Sequence, residues 1–284
     1  GGYIQGFEEI FDPTGFALPT DEVLALDPML RWCLHAGRSA LKNLKLPQAG
    51  RGGIVLGNLS YPTAAMAAHA ERVWLGDARA DAVGVPRGQA SHRFMSGLPA
   101  HITANALGLS GPAFALDAAC ASSLYALHAA CARLQDRETD LMLAGAVNGA
   151  DDLFIHVGFS ALQALSVTGQ SRPFHRDANG LVPAQGAGLL ALKRMADAEE
   201  DGDEILGVIR GIGLSNDGRA KGFLAPSSPG QVRALRKAYE VASSMKGFVL
   251  AGQTLKMDVT DYPTGEKPLP APSQPQRGFP VQEG

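Results

Sequence analysis

Charge of one sign, long apolar runs, paired cysteines and aromatics are all scarce in this sequence, and each scarcity excludes something. Lys and Arg number 25 against 28 Asp and Glu, a formal net charge of −3. That balance gives no basic footprint for nucleic acid or an anionic membrane. No apolar run approaches the roughly 20 residues needed to span a bilayer. The opening "GGYIQGFEEIFDP" lacks the basic start and apolar core of a secretory signal. Three cysteines at unrelated spacings, Cys33, Cys120 and Cys131, make neither a disulfide framework nor a zinc site. A reducing compartment is therefore expected, with the cytoplasm as the default. No two of the seven histidines have metal-ligand spacing within a helix or turn, so no metal is expected. Aromatics are only 6% of the chain while glycines number 34, which fits a tightly packed α/β core with many turns better than an all-β sandwich.

What is present has an alternating character. The 284 residues suffice for one large α/β domain or two moderate ones. "RGGIVLGNLS" (Arg51–Ser60) reads as a short buried strand leaving a glycine turn, and "DPMLRWCLHAGRSALKNL" (Asp27–Leu44) before it carries Leu30, Cys33, Leu34, Ala40 and Leu41 near helical spacing. "PAFALDA" is a second strand, followed by a helix from about Ala121 to Leu134 whose Leu124, Leu127, Cys131 and Leu134 predict one buried stripe. Further strands are expected in Thr139–Ala150, Ala184–Met195 and Asp203–Asp217, with a capped helix over Ser228–Ala242. Strands alternating with helices of crossover length predict a mixed or mainly parallel sheet with helices on its faces. From Met245 the character changes, and Asp261–Gly284 holds six prolines, which predicts a linker or a segment wrapping extended over the body.

One thiol stands apart. Cys120 lies where the apolar run "PAFALDA" gives way to small residues opening a helix. A thiol attacks as its thiolate, and the unpaired N–H groups and positive dipole end of a helix favour an anion. The same N–H groups can receive a thioester oxyanion, and Ala118, Ala119, Ala121, Ser122 and Ser123 leave room for an acyl chain. The spacing alone is equally compatible with a small buried cysteine. Ser122 and Ser123, in the first helical turn, are expected to cap orphan N–H groups.

The longer text around the thiol narrows the reading. "DAACASSLYAL", "DLMLAGAVNGADDLFIHVGFSALQALS", "SRPFHRDANGLVPAQGAGLLALKR" and "GIGLSNDGRAKGFLAPS", in this order, resemble a β-ketoacyl synthase of thiolase-like fold. They are most similar to ketosynthase domains of polyunsaturated-fatty-acid-type and enediyne-type iterative polyketide synthases. The resemblance covers about residues 1–242 and implies the N-terminal half of the layered αβαβα architecture plus the first strand and helix of the other half, with residues 243–284 unassigned. It implies that Cys120 accepts an acyl group from the phosphopantetheine arm of an acyl carrier protein, with its backbone N–H in the oxyanion hole, before decarboxylative Claisen condensation with malonyl-carrier protein. It also implies a homodimer in which "PAFALDA" pairs across the two-fold axis, and no bound cofactor.

Several positions depart from the family pattern. Its two catalytic histidines, each in a glycine-rich motif well downstream of the cysteine, are not matched, and the last histidine is His175. The family's first strand is not matched either. Gln185 stands where a carboxylate is common and Asn179 where aspartate is usual; both changes remove charge, either as tolerated drift or as relaxed constraint. Phe159 is a candidate wall of an acyl pocket or a core aromatic, and Arg172 with Asp177 are expected to pair within their loop. The expected activity is that of an acyltransferase in polyketide or fatty-acid synthesis. The alternative is a non-catalytic or truncated ketosynthase-like protein acting through its dimer or carrier surface. A cysteine hydrolase lacks a matching base signature.

Overall fold

The short apolar runs become strands of a single sheet in the computed structural model, which describes residues 1–47, 51–59, 63–87, 96–149, 153–218, 226–244 and 248–251. The strands are β1 (Gly52–Gly57), β2 (Ala113–Leu116), β3 (Leu141–Asn148), β4 (Gly186–Arg194), β5 (Ile205–Ile209) and β6 (Phe248–Ala251). The helices are α1 (Phe7–Ile10), α2 (Thr20–Ala25), α3 (Pro28–Leu41), α4 (Ala64–Leu75), α5 (Asp77–Ala82), α6 (Leu98–Ala106), α7 (Ser122–Gln135), α8 (Leu153–Ala161), α9 (Met195–Asp201) and α10 (Ser228–Ser244).

The sheet order is β2-β1-β3-β4-β6-β5. β1 is parallel to both β2 and β3, with Val55 opposite Phe114 on one side and Ala144 on the other. β4 returns antiparallel to β3, and β6 lies antiparallel to both β4 and β5. The sheet is therefore mixed, as the alternation of strand and crossover helix predicts. β6 comes from the segment set apart at residue 243 on its proline content; residues 245–247 and 252–284 lie outside the described residues.

Period-two alternation sorts the strand side chains onto two faces. Ile54, Leu56, Leu141, Leu143, Leu189 and Ala191 join Trp32, Cys33 and Leu34 of α3 in the larger core. Val55, Met142, Ala144 and Leu192 meet Ala126, Ala130, Cys131 and Leu134 of α7 on the opposite face. α3 starts where Asp27 accepts from the Met29 N–H at 3.0 Å, with Pro28 in its first turn, a combination that satisfies an orphan donor and presets φ. The leucine stripe read from spacing is only half correct for α7: Leu124 is 54% exposed, and the buried positions are Ser122, Ala126, Ala130, Cys131 and Leu134. Steps of four from Ser122 line up small side chains, and that row lets the helix lie closer to the sheet than a leucine row would.

Candidate active site

β2 ends at Leu116, and the chain turns through Asp117 and Ala118 into a 3-10 turn, Ala119–Ala121, that feeds directly into α7. Cys120 is the middle residue of that turn and is solvent-exposed. Three local interactions shape it. The Asp117 Oδ1 accepts the Ala119 N–H at 2.9 Å. Ser122 Oγ accepts the Ala118 N–H at 2.8 Å and donates to the Ala119 carbonyl at 2.7 Å. Ala119 itself has φ 51°, the left-handed region that a non-glycine residue adopts only where its surroundings hold it.

The neighbouring strand is cut to fit. A methyl group on Gly57, at the end of β1, would stand 2.8 Å from both the carbonyl carbon and the Cβ of Ser122, so the close approach of α7 requires glycine there. At the far end of α7, Arg194 on β4 donates to the Leu134 and Thr139 carbonyls at 2.9 and 2.7 Å. A cation on the last carbonyls of a helix satisfies orphan acceptors and the negative dipole end together. The thiol thus sits at the head of a helix clamped at both ends.

The three cysteines now separate. Cys33 is fully buried on α3 and its thiol is pushed up to about 12 by desolvation. Burial likewise raises Cys131 to about 11. The exposed thiol at the turn is Cys120, so the small-core reading of that residue does not describe its place in the fold.

Ser122 does not cap α7: its hydroxyl bonds backward, into the turn, and Ala121 at the N-cap position makes no side-chain cap. The backward bonds form because the left-handed Ala119 folds the Ala118 N–H and Ala119 carbonyl toward the helix start. Phe159 is half-buried on α8, whose main packing partner is α4. Arg172 and Asp177 do not pair with each other; Arg172 bonds Gln170, while Asp177 lies 3.9 Å from Arg176 and 3.7 Å from His175. Near neighbours in the loop outcompete a partner five residues away. His92 lies outside the described residues, and among the described histidines none is hydrogen-bonded to Cys120. His128 is exposed on α7, and His35 is wedged beside Phe7 and Phe11, where desolvation lowers its pKa.

The two charge-removing positions have structural work. Gln185 Oε1 accepts the Ile4 N–H at 3.0 Å and the Gln185 backbone N–H donates to the Gly2 carbonyl, so this residue ties the N-terminal segment to the entry of β4. Asn179 Oδ1 accepts from Ser166 Oγ at 2.6 Å and its amide donates to Thr168. Either amide supplies a donor and an acceptor where a carboxylate supplies acceptors only. Among the described residues no group of acidic, histidine and cysteine side chains has the arrangement of a metal site, and no described helix is long and apolar enough to cross a membrane.

This strand, turn and helix lie within a stretch that matches known proteins. Over 246 residues the chain is 35% identical to a phenolphthiocerol/phthiocerol polyketide synthase of Mycobacterium tuberculosis, covering 85% of this chain and 13% of that synthase. It is 38% identical over 239 residues to a mycocerosic acid synthase-like polyketide synthase of Mycolicibacterium smegmatis, covering 84% and 11%. Among solved structures, the PfaC ketosynthase–chain length factor superposes with a TM-score of 0.75 at 37% identity, over 86% of this chain and 28% of that one. The ketosynthase from module 6 of the bacillaene synthase of Bacillus subtilis 168 gives 0.65 at 31%, over 82% and 38%. The chain therefore spans a small part of the synthases it matches and less than two fifths of these solved ketosynthase chains. Residues 1–198 match the family described as "Beta-ketoacyl synthase, N-terminal domain", and with the thiolase-like mixed sheet this establishes that the chain belongs to the β-ketoacyl synthase family.

Proposed function

We propose that this chain carries the acyl-loading half of a β-ketoacyl synthase site in polyketide or fatty-acid synthesis, with Cys120 as the nucleophile. The observation that carries the reading is the exposed thiol on a strained strand-to-helix turn inside the matched domain. In the loading step the Cys120 thiol gives its proton to water and its sulfur bonds to the carbonyl carbon of an acyl thioester on a carrier protein's phosphopantetheine arm. The carbonyl electron pair moves to oxygen, where backbone N–H groups at the turn, Cys120's among them, receive it. Collapse restores the carbonyl and breaks its bond to the pantetheine sulfur, which leaves and is protonated from water. In the condensation, malonyl-carrier protein loses carbon dioxide and its α-carbon bonds to the acyl carbonyl carbon. The Cys120 sulfur is expelled, and the β-ketoacyl product remains on the carrier.

The family's two catalytic histidine motifs are unmatched in this sequence and no described histidine is hydrogen-bonded to the thiol, so no residue of this sequence is assigned the role of polarising the malonyl thioester. The proposed partners are the carrier protein and a second copy of the chain. Pairing through β2 is supported by its place at the edge of the sheet, with β1 on its inner side. The proposed compartment is the cytoplasm, in keeping with three free thiols.

The test is intact-mass spectrometry after exposure to an acyl-pantetheine thioester, beside Cys120→Ala. An acyl adduct on the natural chain, absent in the variant, is expected. A folded chain that takes no acyl group would leave a ketosynthase-like half acting only through its surfaces.

A further inference from the structure

We infer that Ser122 is a positioning residue for acylation: its hydroxyl sets the direction of the Cys120 backbone N–H, the donor that meets the thioester oxyanion. The inference rests on the nucleophile reading above and adds a residue that acts through the peptide rather than on the substrate.

The argument begins with the peptide that joins Ala119 to Cys120. No described peptide is cis, and in a planar trans peptide the C=O and the N–H point in opposite directions. Whatever holds the Ala119 oxygen therefore aims the Cys120 N–H. That oxygen is held twice by one residue, by the Ser122 hydroxyl at 2.7 Å and by the Ser122 backbone N–H. The same hydroxyl accepts the Ala118 N–H at 2.8 Å, so it bridges two peptide groups just before the thiol. Drawing the Ala119 oxygen toward Ser122 turns the Cys120 N–H to the opposite side.

Two further features suit this role better than capping. A capping serine accepts from N–H groups two to three residues into the helix, whereas this hydroxyl reaches back to Ala118 and Ala119. The seat of the serine is also fixed from outside the turn. Ser122 is 8% exposed, and the strand beneath it offers only the hydrogen of Gly57, since a Cβ there would lie 2.8 Å from the Ser122 Cβ and 3.0 Å from its carbonyl oxygen. Asp117 Oδ1 fixes the remaining donor, the Ala119 N–H. With φ 51° at Ala119, the turn holds a conformation that relaxes once these bonds are removed.

The test separates a reaction that needs the oxyanion donor from one that does not. Acyl transfer from a thioester builds negative charge on a carbonyl oxygen; alkylation by iodoacetamide displaces iodide at a saturated carbon and builds none there. Both are followed at Cys120 by intact mass in the full chain, for the natural sequence and for Ser122→Ala, with far-UV circular dichroism as the check on folding. Ser122→Ala is expected to lower the limiting acylation rate about tenfold, within the range seen when reacting groups are slightly misplaced. The half-saturating thioester concentration and the alkylation rate should each stay within about twofold, because neither uses the N–H direction. Equal acylation rates would overturn the inference. So would acylation and alkylation falling by the same factor, or loss of the folded spectrum, since each makes Ser122 a structural residue of α7. A natural chain that takes no acyl group, or an adduct that persists in Cys120→Ala, would instead refute the nucleophile reading beneath it.

Discussion

On one face of the sheet, Trp32 and Leu34 of α3 press against Ile54, Leu56, Leu143 and Leu189; on the other, α7 meets Val55, Met142 and Leu192 with Ala126, Ala130 and Cys131. The first face buries more apolar surface per side chain and so contributes more to stability. The second trades that for proximity: a row of small residues brings α7 down onto β1, where Gly57 receives Ser122. Large side chains interdigitate with some tolerance, but a contact that admits only a hydrogen has almost none. The exposed thiol belongs to the close-packed face, at the end where helix and strand touch. Stability and placement of the reactive group are thus assigned to opposite sides of the same strands.

The largest expected effect sharpens the contrast between thiols. Cys120→Ala should abolish the acyl adduct with the fold intact, whereas Cys131→Ala, further along the helix that follows, should leave the adduct in place. Intact mass reads both. Breaking the large-residue face comes next: Leu143→Ala, at a fully buried position, should cost about 3 kcal/mol in urea unfolding while a still-folded chain keeps its acylation rate. Overfilling the close-packed face should do less to stability and more to chemistry. Ala130→Leu is expected to cost about 2 kcal/mol by lifting α7, and to slow acylation of Cys120 in the fraction that remains folded.

The smallest effect concerns a buried charge on β4. Lys193, 1% exposed, is paired with Asp201 and Asp203 and donates to the Lys45 carbonyl. Hydrogen bonds from Lys193, then from Lys45, hold the Asp201 carboxyl below the usual carboxylate range. A carboxyl lowered on folding contributes stability that is present above its unfolded pKa of about 3.9 and is lost as pH falls through the lowered value. The urea midpoint should therefore drop on acidification below about pH 4, and drop less steeply in Asp201→Asn.

The fold is legible in the sequence where short-range pattern decides. Apolar runs mark β1, β2, β3 and β4, and the change from apolar to small residues marks the turn at Cys120. Period alone misplaces Leu124, because it does not say which of two rows faces the sheet; the choice falls to the row of small residues that starts at Ser122, which permits closer packing. Charge alone joins Arg172 to Asp177, while Gln170 and Arg176 stand nearer. The readable hint to the Ser122 seat is the glycine closing "GGIVLG" (Gly52–Gly57), whose meaning depends on a residue 65 positions on.

By itself the sequence determined the alternation that gives each strand two faces, the helix that starts at Asp27, and the thiol at a strand-to-helix junction. These follow from spacings of a few residues, where backbone period and local hydrogen bonds govern. Tertiary structure alone decided that β6 enters between β4 and β5, that Gln185 ties down Ile4, and that Ser122 bonds backward over a glycine of another strand. Each of those joins groups far apart in the chain, so its geometry exists only after the sheet has closed around it.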